Sequence, residues 1–268
     1  MGEFIDKNAL IGDDYRAVIL CEYTHDLSLI KQLIEIAEKA ISLKKPSDTW
    51  TCEGMCYLFA RSIVSYAKMA YDNMILGHFD ATNMIVRTII ENNVCLDIIQ
   101  RYEKEELWKY YLVQSYRNSI MCSGKELEAD ELNFLNKIYS DYGIENEFIE
   151  KSKKNDAKRP YAYIDKNYGW TYKINKNFTF SGLCELVDKR EYNDFKMMST
   201  YSHGTAIHLK INGSVSMDHI MSMISSIYIG LYRLVTMYCW SEVGAEFDDV
   251  TDEIEGIIYD YLDINSGQ

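Results

Sequence analysis

Arg87 and Glu91 stand four residues apart in a stretch of helical periodicity, so the guanidinium and the carboxylate share one side of a helix. Glu91 also falls in line with Met84, Ile85, Thr88, Cys95 and Ile98, a stripe expected to face the core. A carboxylate on such a stripe needs a paired cation and hydrogen bonds, or its pKa must rise. Two roles are open to the pair. One is a buried ion pair that fixes helix register; the other is the wall of a polar pocket, with a positioned cation and a candidate base.

A second concentration of chemistry lies at Met198 to His208, where Ser199, Thr200, Tyr201, Ser202 and Thr205 surround His203 and His208. Histidine changes charge near neutral pH and suits proton transfer, although a hydrogen-bonded core or helix-end histidine reads the same way. The two histidines are five apart, whereas chelation from one helix face wants four, so no metal site is expected. The third feature is Lys151 to Lys176. Its eight basic residues include Lys154, Lys158, Arg159 and Lys173, interleaved with Tyr161, Tyr163, Tyr168, Trp170 and Tyr172. Cations alternating with aromatic faces are what single-stranded RNA recognition uses; a solvated loop pinned to the body of the protein by its aromatics is the other reading. The stretch Glu242 to Asp263 holds nine acidic and no basic residues, and is a candidate cover for that loop within the chain or in a neighbouring copy.

Helices must position these groups. Only two prolines and fourteen glycines in 268 residues leave little turn chemistry for an all-β chain. Apolar periodicity predicts helices over 27–43, 53–78, 81–102, 107–121, 127–142, 183–189 and 192–208, one following Ser216, and one over 246–262. The expectation is an all-α single helical bundle over residues 1–268, with a long basic and aromatic loop insertion at 150–180. The apolar run His219 to Trp240 approaches membrane-spanning length, but it carries Arg233 and several serines and is read as a buried bundle helix.

The formal charge of −13, from 28 basic against 41 acidic residues, opposes non-specific adhesion to nucleic acid or anionic lipid. Seven scattered cysteines, an odd number, suit reduced packing residues in a cytoplasmic compartment; Cys52 and Cys56 are four apart but lack a second pair at zinc-ligand spacing. There is no basic, apolar leader at the start, no phosphate-cradling GxxxxGK[ST], no GxGxxG and no GxSxG elbow. These absences argue against nucleotide hydrolysis, dinucleotide-dependent redox chemistry and esterase chemistry, and no cofactor is expected.

The order Arg87-Thr-Ile-Ile-Glu91, Gly169-Trp170, Phe180 to Val187, Tyr192, then Ser199-Thr-Tyr-Ser-His203-Gly-Thr205 resembles a bacterial domain-of-unknown-function family of helical proteins. That family is similar in layout to the HEPN superfamily, many of whose members are metal-independent ribonucleases of toxin–antitoxin, abortive-infection and antiviral defence systems. HEPN enzymes carry an arginine, four to six intervening residues and then a histidine, on a helix in a dimer cleft. Here no arginine precedes His203 at that distance, and Lys196 lies six intervening residues upstream. The resemblance implies a defence- or stress-related module that binds a protein partner, an antitoxin or another effector, pairs with a second copy, and stays off membranes. The alternative it implies is an RNA-cleaving toxin. In that version His203 is general acid or base, Arg87 steadies the phosphorane charge, Glu91 orients Arg87 or His203, Ser199 and Tyr201 supply hydrogen bonds, and Lys154, Lys158, Arg159, Tyr161, Trp170 and Lys173 hold the strand.

Overall fold

The computed structural model describes residues 19–121, 128–150, 161–202, 217–239 and 245–266. Ten α-helices span these residues: α1 Thr24–Leu43, α2 Cys52–Ile75, α3 Phe79–Arg101, α4 Leu107–Met121, α5 Ala129–Asp141, α6 Asn146–Ile149, α7 Phe180–Val187, α8 Lys189–Ser202, α9 Met217–Cys239 and α10 Ala245–Ser266. No strand occurs among the described residues, and the fold is all-α. His203 and His208, along with Lys154, Lys158 and Arg159, lie outside the described residues.

Chain breaks between helices follow ordinary turn chemistry. After α2, Gly77 adopts φ +74°, and the amide of His78 reaches back to the Asn73 carbonyl at 2.8 Å. After α5, Gly143 at φ +59° does the same service, with the Ile144 amide on the Tyr139 carbonyl at 2.8 Å. Both are left-handed helix ends that glycine enters without steric cost.

The chain divides into two compact units, Met1–Pro46 with Tyr57–Leu96 and Arg190–Gln268, and Ser47–Cys56 with Asp97–Lys189. In the first, α9 packs on α1 and α10. The apolar stretch Ile220–Tyr238 of α9 is long and apolar enough to cross a membrane. Ile220, Ile224, Ile227, Leu231, Leu234 and Val235 along it are fully buried within the unit. The Tyr238 hydroxyl donates to the Lys44 carbonyl at 2.5 Å, tying the end of α9 to the end of α1.

In the second unit, the segment after residue 160 is built rather than loose. Gln114 on α4 holds it at three backbone points: its amide nitrogen donates to the carbonyls of Ile164 (2.9 Å) and Lys166, and its carbonyl accepts from the Trp170 amide at 3.0 Å. Gly169 permits the approach, since a Cβ there would sit 1.7 Å from the Tyr163 carbonyl oxygen. Tyr110, Phe148, Tyr163 and Tyr172 close into an aromatic cluster with ring centroids 4.9–5.5 Å apart. Burial first, then a 2.6 Å hydrogen bond to Glu145, holds the Tyr172 hydroxyl protonated well above its ordinary range. The same bond, followed by the Lys173 ammonium at 2.9 Å, draws the Glu145 carboxyl below the usual carboxylate range.

Candidate functional site

Helices α3, α8 and α9 of the first unit meet along a polar seam. On α3 the buried face is Val86, Ile89, Ile90, Asn93 and Val94. This corrects the expected stripe: Met84 is 57% exposed, and Glu91 is half-buried on the flank. The reason is physical. Met84, Ile85, Val86, Ile89 and Ile90 put apolar side chains on two sides of the same turns, so periodicity alone does not choose between them. Past Asn93 the helix is buried all round, which is why Cys95 and Ile98 on the expected stripe are in the core.

Arg87, half-buried, turns to α8. Its Cζ lies 4.6 Å from the centroid of the Phe195 ring, within cation–π range. Its Nε is buried with no hydrogen-bond partner among the described residues. Two turns along α3, Asn93 is 2% exposed; its amide nitrogen donates to the Ile89 carbonyl at 3.2 Å, while its carbonyl oxygen has no partner among the described residues. Beside it Arg233 on α9 is ion-paired with Glu191 on α8, with the two side chains 22% and 10% exposed. Gly230 lets α9 close on α3, because a Cβ there would come within 2.7 Å of Ile89 Cγ2 and 3.2 Å of Asn93 Nδ2.

Ile90, Asn93, Glu191, Asp194, Ser226 and Arg233 line a cleft at this point whose water-sized space is about 10 Å³. That is room for about one water molecule and for no metabolite. Among the described residues no group of three or more His, Cys, Asp or Glu is placed to hold a metal ion.

The sequence-derived candidates therefore separate. Arg87 and the helix carrying Ser199 come together, with Ser199 half-buried one turn past Phe195. Tyr201 falls in the last described turn of α8, and His203 lies outside the described residues. Trp170 is 2% exposed, its ring meeting Tyr111 edge-on at 5.3 Å, so its face is spent inside the second unit. Lys173 is committed to Glu145. Tyr161 stays at the surface, 52% exposed, under the Lys166 ammonium at 4.6 Å.

The model of a family of unknown function, DUF5677, matches residues 54–219, more than half of the chain. The chain belongs to that family. The match takes in Arg87, Asn93, Glu191, Phe195, Ser199 and His203, and stops short of Arg233. No curated protein and no solved structure matches the chain.

Asn93, Glu191 and Arg233 escaped sequence reading as a set. The signal was nevertheless present: Arg233 is the sole charged residue of the apolar stretch Ile220–Tyr238, and a cation on such a helix requires a carboxylate from elsewhere.

Proposed function

We propose that this family member is a HEPN-like helical module, defence- or stress-related, that works by binding a macromolecular partner at the α3–α8–α9 seam. The observation that carries the reading is Arg87. Its Cζ sits 4.6 Å from the centre of the Phe195 ring with a buried Nε–H unspent among the described residues, a cation suited to receive an anionic group. The small size of the cleft at Asn93, further along the same seam, favours a partner surface that reaches the seam from outside over an enclosed small molecule.

The test is retention of partners from a lysate of the encoding organism by the wild-type chain, Arg87→Lys and Arg87→Ala. The reading expects a protein or RNA kept by wild type, weakened by Lys and lost with Ala, while both variants melt close to wild type. An identical partner set on Arg87→Ala contradicts it.

A second reading, a metal-independent ribonuclease, draws support from the packing of Arg87 against the helix that leads into His203. It expects a single-stranded RNA to be cut by wild type and left intact by His203→Ala of unchanged helicity. Cleavage retained in that variant removes His203 from any mechanism.

A further inference from the structure

Outside the seam, the second unit carries a pair of thiols that neither reading uses. Cys52 opens α2 and Cys56 follows one turn later on the same side. Cys52 is half-exposed, whereas Cys56 is 7% exposed. Both are reduced. This is a different environment from Cys95 and Cys184, which are buried in the core.

We infer that Cys52 and Cys56 form an oxidisable dithiol, in which Cys52 meets a hydroperoxide at the surface and Cys56 resolves the product as an intramolecular disulfide. A redox-sensing cysteine is typically accessible, inclined to the thiolate and close to a second thiol. All three conditions are met here. Exposure is on the Cys52 side, and the resolving thiol lies one helical turn away on the same side. The neighbouring Cys56 thiol is also the foremost cause that draws the Cys52 thiol below its ordinary pKa.

The steps balance with hydrogen peroxide as oxidant. The Cys52 thiolate attacks one peroxide oxygen; an S–O bond forms, the O–O bond breaks, and the departing hydroxide takes a proton to leave as water. Sulfur loses two electrons and the peroxide gains them. Cys56 then attacks the sulfenic sulfur, forming the S–S bond and breaking S–O. The second hydroxide leaves as water with the Cys56 proton.

The helix sets a condition on the second step. Residues four apart on a helix hold their Cβ atoms about 5–6 Å apart, whereas a disulfide needs about 3.5–4.5 Å. The first turn of α2 must therefore open. The opening must break, besides the helix's own bonds, that of the Gly54 amide to the Thr51 hydroxyl at 3.0 Å and that of the Met55 amide to the Thr51 carbonyl at 2.9 Å. Gly54, between the two cysteines, lies so close to the preceding turn that a Cβ there would fall 2.4 Å from Thr49 Cα, so the opening also separates that contact.

Peroxide treatment of the folded chain, followed by alkylation in denaturant, trypsin and mass spectrometry, tests the inference. The wild-type peptide holding both cysteines should lose two hydrogens, resist alkylation until reduced, and do so at peroxide doses that leave Cys95 and Cys184 alkylatable. Hydrogen exchange at the Gly54 and Met55 amides should accelerate in the oxidised chain. Cys56→Ser should instead trap Cys52 as a dimedone-reactive sulfenic acid, and Cys52→Ser should leave Cys56 reduced. If both cysteines remain alkylatable in wild type, if they oxidise no sooner than Cys95 and Cys184, or if Cys56→Ser gives no dimedone adduct, the inference is overturned.

Discussion

At the scale of single residues, the Glu191–Arg233 pair and Arg87 stand in opposite relations to stability. Glu191 and Arg233 are mutually satisfied and largely buried, so removing one leaves the other without a counter-charge. Glu191→Ala is expected to cost about 1–3 kcal/mol, lowering the melting temperature by about 3–10 °C in a thermal scan. Arg87 differs. Truncating it loses a cation–π contact but also removes a buried donor without a partner among the described residues, so Arg87→Ala should stay within about 1 kcal/mol of wild type. A large loss in Arg87→Ala and none in Glu191→Ala would reverse the assignment of roles. Glu145 makes a pH prediction. Its carboxyl is drawn down in the folded state, first by the Tyr172 hydroxyl and then by Lys173. Its contribution is therefore present above the ordinary carboxylate pKa and lost as pH falls through the depressed folded value. Denaturant midpoints measured from neutral to acid pH should fall less steeply in Glu145→Gln than in wild type.

At the scale of elements, hydrophobic period located the helices well. The expected 107–121 helix coincides with α4, and α1, α3, α5 and α10 begin and end within a few residues of the periodic stretches. Period was weaker at choosing a face, as Met84 and Glu91 on α3 show, because a helix with apolar residues on two sides has no single preferred orientation until its neighbours arrive. The fate of the aromatics after residue 160 was likewise open in sequence. A tyrosine that stacks a base and one that closes a core look alike, and the decision came from Gln114 on another helix, whose three backbone contacts no local pattern announces. Gln114→Ala should leave buried carbonyls and the Trp170 amide unpaired, at about 2–4 kcal/mol in equilibrium unfolding. On α9, Gly230→Ala places a methyl against the stiff, branched Ile89, and about 1–3 kcal/mol of overpacking is expected. An unchanged midpoint in Gly230→Ala would mean that α9 does not close on α3 at that point.

At the scale of the whole molecule, composition settled the class: an apolar fraction of 47% and two prolines in 268 residues are realised as an all-α fold. The candidate site was legible only in part. Both halves of the signature that resembled the family lie within the matched residues 54–219, and their meeting at Arg87 and Phe195 is a tertiary fact that spacing could not supply, since the two residues are 108 positions apart. The partners of Arg87 in sequence, Glu91 and His203, were easier to name than Phe195, because an aromatic ring reads as core until a cation is found on its face. The measurement that tests this convergence most directly is a double-mutant cycle on Arg87→Ala and Phe195→Leu by equilibrium denaturation. The account predicts a coupling of about 0.5–2 kcal/mol, whereas effects that add to within about 0.3–0.5 kcal/mol would contradict it.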